Sequence, residues 1–320
     1  MDFTRILKFF LEDHADFERP ILLGLSGGPD SMAIFNLLIS LKNKYQWKFA
    51  VAHVNHNWRK ESPIEAEKLK EMAEKVNVPF HLLEIDPKQL NGNLELACRL
   101  ERLKFFKNLC EEFCYQAVIL GHHQDDQAET VLKRLFEGAT LPKLKGLKNK
   151  TLIDGLMIWR PFLCIRKKEI EDFLNLHHIA SFQDSTNLDP IYMRGRLRTK
   201  IIPLLVQEFG KDIVAPLYRI GYESLELDEY LNKKFGHYMN LIVREASYCY
   251  LDFTDFSLKF EIKHLIRMFA DHEGFFMSYS MIETAAHLIQ TDRANKSMSI
   301  RDKKIYFKRK KMFISLNSTL

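Results

Sequence analysis

ILLGLSGGPDSMAIFNLLISL, residues 21–41, decides the fold of the first half of this chain. Ile21 to Leu25 is an apolar run of strand size. It enters a turn made of Ser26, Gly27, Gly28, Pro29, Asp30 and Ser31, and a helical pattern follows with apolar residues at Met32, Phe35, Leu38 and Ile39. Paired glycines let the backbone bend sharply and bring its N–H groups close to an anion, while the helix N-terminus adds about half a positive charge. The turn therefore suits a phosphate group. Pro29 and Asp30 also suit a first helical turn, so capping accounts for part of the pattern. Neither GxxxxGK[ST] nor GxGxxG is present.

The same alternation continues outward. Strands are expected at Pro20–Leu25, Lys48–His53, Phe80–Ile85 and Gln116–Gly121, and helices near Pro29–Leu41, Pro63–Val76, Leu94–Cys114 and Asp125–Phe136. This βαβαβαβ order predicts an α/β fold: a parallel-sheet nucleotide-binding domain with helices on both faces and its ligand beyond the carboxyl ends of the strands. After about residue 205 the alternation stops. Asp212–Arg244, Leu258–Asp271 and Ser280–Gln290 read as helical and the tail as short strands. A catalytic domain over 1–208 and a smaller α+β domain over 209–320 are expected.

At 320 residues, 46% apolar and 28% charged, the chain has the composition of a globular protein with more than one domain. Its apolar runs are far too short to cross about 30 Å of hydrocarbon, and its first twenty residues form an acid-bearing amphipathic pattern rather than a secretory signal. No membrane association and a cytoplasmic location follow as expectations. Five cysteines without a CxxC pair indicate buried thiols rather than a disulfide framework or zinc knuckle. The net charge of +5 is mild, but basic residues bunch at Lys143–Lys150, at Arg194, Arg196, Arg198 and Lys200, and from Lys303 to Lys311, which suits a polyanionic partner. In the last bunch Tyr306 and Phe307 are interleaved with lysines, as expected where rings stack on bases, although a charged strand edge explains the pattern equally well.

After the fourth expected strand comes GHHQDDQAET, residues 121–130. On a helix His122, Asp126 and Glu129 fall within about 60° of one another, so an imidazole and two carboxylates would point together into the crevice. A solvated helix start and a metal site are the alternative readings. Glu95, Arg99 and Arg102 are spaced by four and three. An intrahelical ion pair accounts for Glu95 and Arg99 but not for Arg102.

Taken together, these segments resemble known motifs. SGGPDS resembles the SGGxDS loop of the N-type ATP pyrophosphatases, and GHHQDDQAET resembles the GHHxDDQxET motif of the tRNA(Ile)-lysidine synthetase family. HVNHNWR at 53–59 is similar to that family's HVNHGLR, with Asn57 and Trp58 in place of Gly and Leu. NLELACRLERLKFF at 93–106, RPFL at 160–163, and DSTN with RGRLRTKIIPLL within 184–205 resemble further family motifs, with Leu103 replacing a tyrosine. The resemblance implies binding of ATP and Mg2+, with Ser26, Gly27, Gly28, Pro29 and Ser31 on the phosphates and Asp30 at the metal. It also implies His53, Arg99 and Arg102 as nucleotide contacts, and Asn55, His56, Arg59, Glu95, Arg194, Arg196 and Arg198 as contacts to RNA or substrate. Asp30, His122, Asp126 and Glu129 would be the catalytic set. The expected reaction joins L-lysine to C2 of the wobble cytidine of a tRNA(Ile) with a CAU anticodon, changing codon reading from AUG to AUA. A tRNA thiolase of the same superfamily and a non-catalytic nucleotide-binding module are the competing readings. The missing CxxC counts against the thiolase. Oligomeric state stays open, a homodimer included.

Overall fold

The computed structural model describes residues 2–45, 47–58, 61–87, 92, 94–182, 193–292, 296–300 and 303–316, with the side chain of Glu95 excepted. Two compact units divide the chain between Leu225 and Glu226. The boundary expected at residue 208 falls inside the first of them.

The first unit contains helices α1 (Phe3–His14), α2 (Pro29–Tyr45), α3 (Ser62–Lys75), α4 (Leu94–Glu112), α5 (Gln124–Phe136), α6 (Lys167–Leu176), α7 (Met193–Arg196), α8 (Ile202–Phe209) and the first part of α9 (Val214–Phe235). Its strands are β1 (Ile21–Gly24), β2 (Phe49–Asn55), β3 (Phe80–Glu84), β4 (Val118–Ile119), β5 (Lys150–Ile153) and β6 (Leu156–Trp159). They form one sheet in the order β3-β2-β1-β4-β6-β5, parallel throughout except for β5 at the edge. Strand β1 alternates between two cores. Ile21 and Leu23 pack with Phe3, Phe35, Leu38 and Leu174 on one face, and Leu22 packs with Phe106, Leu109 and Val118 on the other. A buried parallel strand must be apolar on both faces, which is why ILL reads as a continuous run.

The chain leaves β1 toward β2 on one side and returns to β4 on the other, so the β1–β4 junction is a topological switch point where a crevice opens at the strand ends. The two connecting segments meet closely there. A Cβ on Gly121 would stand 3.0 Å from the backbone carbon and from Cβ of Asp30, and 3.1 Å from the nitrogen of Ser31. Glycine is therefore required for this approach.

The second unit holds β7 (Val243–Arg244), β8 (Tyr248–Asp252), β9 (Lys296–Ile300), β10 (Lys303–Lys308) and β11 (Lys311–Ser315) in a five-stranded antiparallel sheet, with helices α10 (Lys259–His272) and α11 (Tyr279–Gln290). Its core joins Cys249, Leu251, Ile305, Phe307, Met312 and Ile314 of the sheet to Leu265, Phe269, Ala285 and Ile289 of the helices. The helix expected over Asp212–Arg244 ends at Phe235, because Gly236–Leu241 is a 3-10 turn and Arg244 pairs with Cys249.

Gly121→Ala forces an added methyl against backbone and is expected to destabilise the protein by about 1–3 kcal/mol. Gly236→Ala, with nothing within 4 Å of its would-be Cβ, serves as the control. Urea denaturation of the two variants reads the difference, and equal midpoints would contradict the close approach.

Candidate active site

The loop after β1 is built by its own hydroxyls. Ser31 is 3% exposed; its Oγ accepts from the Ser26 N–H at 3.2 Å and donates to the Gly28 carbonyl at 3.1 Å. Having one hydrogen, Ser31 must then accept from the Ser26 hydroxyl at 3.1 Å, while Ser26 Oγ accepts from the Gly28 N–H at 3.3 Å. Gly27 takes φ +82°, and its would-be Cβ lies 2.5 Å from the ring of Phe182, whose N–H donates to the Gly27 carbonyl. Pro29 opens α2 and Asp30 sits in its first turn.

Asp30 is engaged by a residue without an expected role: Lys167 Nζ reaches both carboxylate oxygens at 2.8 Å. Lys167 is the first residue of α6, an end of a helix that disfavours cations. That mismatch was the sequence signal available for it. The α6 N-terminus is held against α5 by Asp125, which accepts from the Lys167 backbone N–H at 2.8 Å and pairs with Arg166 at 3.3 Å.

Across the crevice, His123 caps α5 in a reciprocal box with Asp126. Asp126 and Glu129 are joined by one guanidinium. Arg198 donates to Glu129 at 2.7 and 3.1 Å and to Asp126 at 3.0 Å. It lies in a π-turn over Leu197–Ile201 just ahead of Pro203, which has no N–H to continue the α-helical ladder. Arg198, expected as a contact to RNA or substrate, is thus bound to the two carboxylates. Burial pushes the Glu129 carboxyl above its ordinary range, against the pull of Arg198. Burial also acts to raise Asp126, but His123, His122 and Arg198 together hold it below the usual carboxylate range.

Burial acts on His122 in the opposite sense. Burial pushes its pKa down to about 3, Asp126 opposing and the guanidiniums of Arg160, Arg102 and Arg194 adding to the fall. Arg160, itself 5% exposed, donates from Nε to His122 Nδ1 at 3.3 Å, so the neutral ring carries its proton on Nε2. Arg160 is fixed by the Lys148 carbonyl and the Thr151 hydroxyl at 2.9 Å each. His53 donates from Nδ1 to the Leu25 carbonyl at 2.7 Å, and burial holds its pKa below the ordinary value.

A cavity of about 450 Å³ brings these groups together. Ser26, Asp30, His53, Asn55, His56, Arg99, Arg102, His122, Asp126, Arg194 and Arg198 line it, as do Arg160 and Trp58. Glu129 stands behind Arg198, and Gly27, Gly28, Pro29, Ser31 and Arg196 lie off the cavity wall. Arg59, the side chain of Glu95 and the DSTN segment lie outside the described residues. No acidic partner meets Arg99, Arg102 or Arg194 among the described residues, and the buried Nε of Arg102 has no hydrogen-bond acceptor. Burial pushes Arg102 below the ordinary guanidinium value, Arg99 and Arg194 adding to it. Unbalanced guanidiniums in a recess call for a polyanion. No group of three His, Cys, Asp or Glu suited to a metal ion occurs among the described residues.

A strand-to-helix loop of this kind, facing an acid-bearing helix that His122 and His123 precede, places the protein in the PP-loop class, and the PP-loop domain family matches residues 2–205. A tRNA(Ile)-lysidine synthase from Protochlamydia amoebophila is 40% identical over 315 residues, 98% of this chain and 69% of that protein. One from Chlamydia trachomatis serovar L2 is 36% identical over 281 residues, 86% of each. The chain belongs to the tRNA(Ile)-lysidine synthase family. Among solved structures, a U34-tRNA thiolase from Methanococcus maripaludis shares the fold with a TM-score of 0.57 at 17% identity, covering 76% of this chain and 88% of that one.

Removing Arg198 leaves Glu129, 2% exposed, as an unpaired buried charge. Arg198→Met is expected to cost about 3–5 kcal/mol, and adding Glu129→Leu to restore most of it. A double-mutant cycle in urea measures the coupling; additive losses would contradict the pairing.

Proposed function

We propose that this protein is an ATP-dependent ligase that joins L-lysine to C2 of the wobble cytidine of a tRNA(Ile) with a CAU anticodon. The observation that carries the reading is the cavity at the β1–β4 switch point, where Ser26 and Asp30 of the loop share a wall with His122 and Asp126, and where Arg99, Arg102 and Arg194 meet no acidic partner among the described residues. ATP supplies the phosphates for those positive groups.

In the first step the C2 carbonyl oxygen of cytidine attacks the α-phosphorus, the bond to pyrophosphate breaks, and pyrophosphate leaves. The ε-amine of lysine then attacks C2, the C2–O bond breaks, and AMP departs with the oxygen. A free ε-ammonium with pKa near 10.4 is neutral in about one molecule in 2,500 at pH 7, so the nitrogen must give up a proton to the site. His122, held neutral with its proton on Nε2, serves as a hydrogen-bond donor. Asp126 lines the cavity as an ionised carboxylate, as Asp30 and Glu65 line it too, and Glu129 positions Arg198 beside Asp126. With Asp30 given to the metal, Asp126, next to His122, is the group to which the lysine ammonium is drawn.

Asp30 would hold magnesium, whose bound form neutralises phosphate charge. The carboxylate fits that role as a hard oxygen donor at the cavity wall, once Lys167 releases it. Lys167 is then free to meet a phosphate. The second unit would add RNA contacts. Its open sheet face sets Tyr306, Phe313 and Tyr250 side by side across three strands, with Lys304 and Lys308 on the same face, whereas Phe307 is turned into the core. A cytoplasmic location accords with this substrate. Among the described residues no helix is long and apolar enough to cross a membrane.

Pyrophosphate release by the purified protein is expected to require lysine and the tRNA together, and Asp30→Ala to abolish it with the circular dichroism spectrum unchanged. Sulfide dependence would redirect the reading to a thiolase, and retained turnover in Asp30→Ala would remove the magnesium role.

A further inference from the structure

Strand β2 ends in a turn that carries two aromatic rings to the cavity. Asn55 Oδ1 accepts from the Asn57 N–H at 2.9 Å, Asn57 takes a left-handed φ of 51°, and its own Nδ2 donates to the Ile85 carbonyl at 3.2 Å. The turn is thus tied at both sides, and asparagine tolerates the conformation that the family's glycine would adopt there. Beyond it, His56 and Trp58 stack with ring centroids 4.8 Å apart and planes 22° from parallel, and both line the cavity. Trp58 is 38% exposed, whereas Trp47 and Trp159 are 4% and 3% exposed. One large ring is left uncovered where leucine is usual in the family.

A second observation points the same way. Asn55 is 2% exposed and lines the cavity, yet among the described residues its Nδ2 has no hydrogen-bond partner. The amide orientation is set by the Asn57 N–H, which needs an oxygen to accept it. A buried amide donor without an acceptor costs free energy unless something in the cavity supplies one. A planar heterocycle with acceptor atoms on its edge meets both demands: its face covers the ring and its edge takes the amide hydrogen.

We propose that Trp58, backed by His56, is a stacking platform for a nucleobase, and that Asn55 Nδ2 reads an acceptor on that base. The inference rests on the ligase reading above, which brings two bases to this cavity: the adenine of ATP and the target base of the RNA. Trp58 is a binding residue that this chain adds to the family pattern. Both sources share the chemistry, so the experiment separates them.

The test uses the intrinsic fluorescence of the full chain, where Trp58 is the exposed indole of the three. ATP with magnesium and an anticodon stem-loop RNA bearing CAU are titrated separately, with affinities measured in parallel by calorimetry. Stacking quenches Trp58 and shields it from acrylamide. Trp58→Leu is expected to abolish the quench and weaken binding of the stacked ligand about 5- to 100-fold, and Trp58→Phe to recover most of the affinity. Loss confined to ATP assigns the platform to adenine, and loss confined to the stem-loop assigns it to the RNA base. If the wild type binds both ligands without a change in Trp58 and Trp58→Leu binds both within twofold of it, the platform is overturned and the ligase reading stands. If the wild type binds neither, both fall.

Discussion

The structure depends on one close approach, that of the Gly121 backbone to Asp30 and Ser31 at the β1–β4 junction. Because Gly121 has no side chain to place between them, the phosphate loop and the start of the acid and imidazole segment occupy adjacent walls of one crevice. A side chain at position 121 would separate the two segments, and with them the groups that bind phosphate and those that handle the amine. The parallel sheet makes the junction available, and the glycine lets it close.

Charge organises what that junction assembles. The carboxylates are held in advance: Asp30 by Lys167, and Asp126 with Glu129 by Arg198. The guanidiniums of Arg99, Arg102 and Arg194 face no acid among the described residues, and burial leaves Arg102 poorly solvated. The free protein therefore holds Asp30, Asp126 and Glu129 already paired, while Arg99, Arg102 and Arg194 meet no acid among the described residues. A polyanion entering it gains ion pairs without displacing carboxylates from those cations, and the groups it meets are already in place.

Most of the first unit was legible because its signals are local. The apolar run before Ser26 became β1, the helical pattern after Pro29 became α2, and GHHQDDQAET opened α5 with His122 and Asp126 on the cavity. What escaped was set by distant partners. Strand β7 forms where sequence periodicity continues a helix, because Val243 and Arg244 pair with β8. The β5–β6 hairpin had a signal in Asp154 and Gly155, both at positive φ, but its two four-residue strands are not among those the alternation predicts. The engagement of Arg198 and Lys167 by carboxylates lies 69 and 137 residues away in the chain, a pairing that no local pattern encodes. Asn57, a departure from the family pattern, proves to be a left-handed residue, a conformation that glycine also accepts.

A crystal structure of the protein with a non-hydrolysable ATP analogue and magnesium tests the central claim most directly. The β- and γ-phosphates should lie against the Ser26–Ser31 loop, with Lys167 withdrawn from Asp30 and the α-phosphorus turned toward His122 and Asp126. A nucleotide bound elsewhere, or one whose α-phosphorus faces away from α5 while the Lys167–Asp30 pair stays closed, would contradict the account.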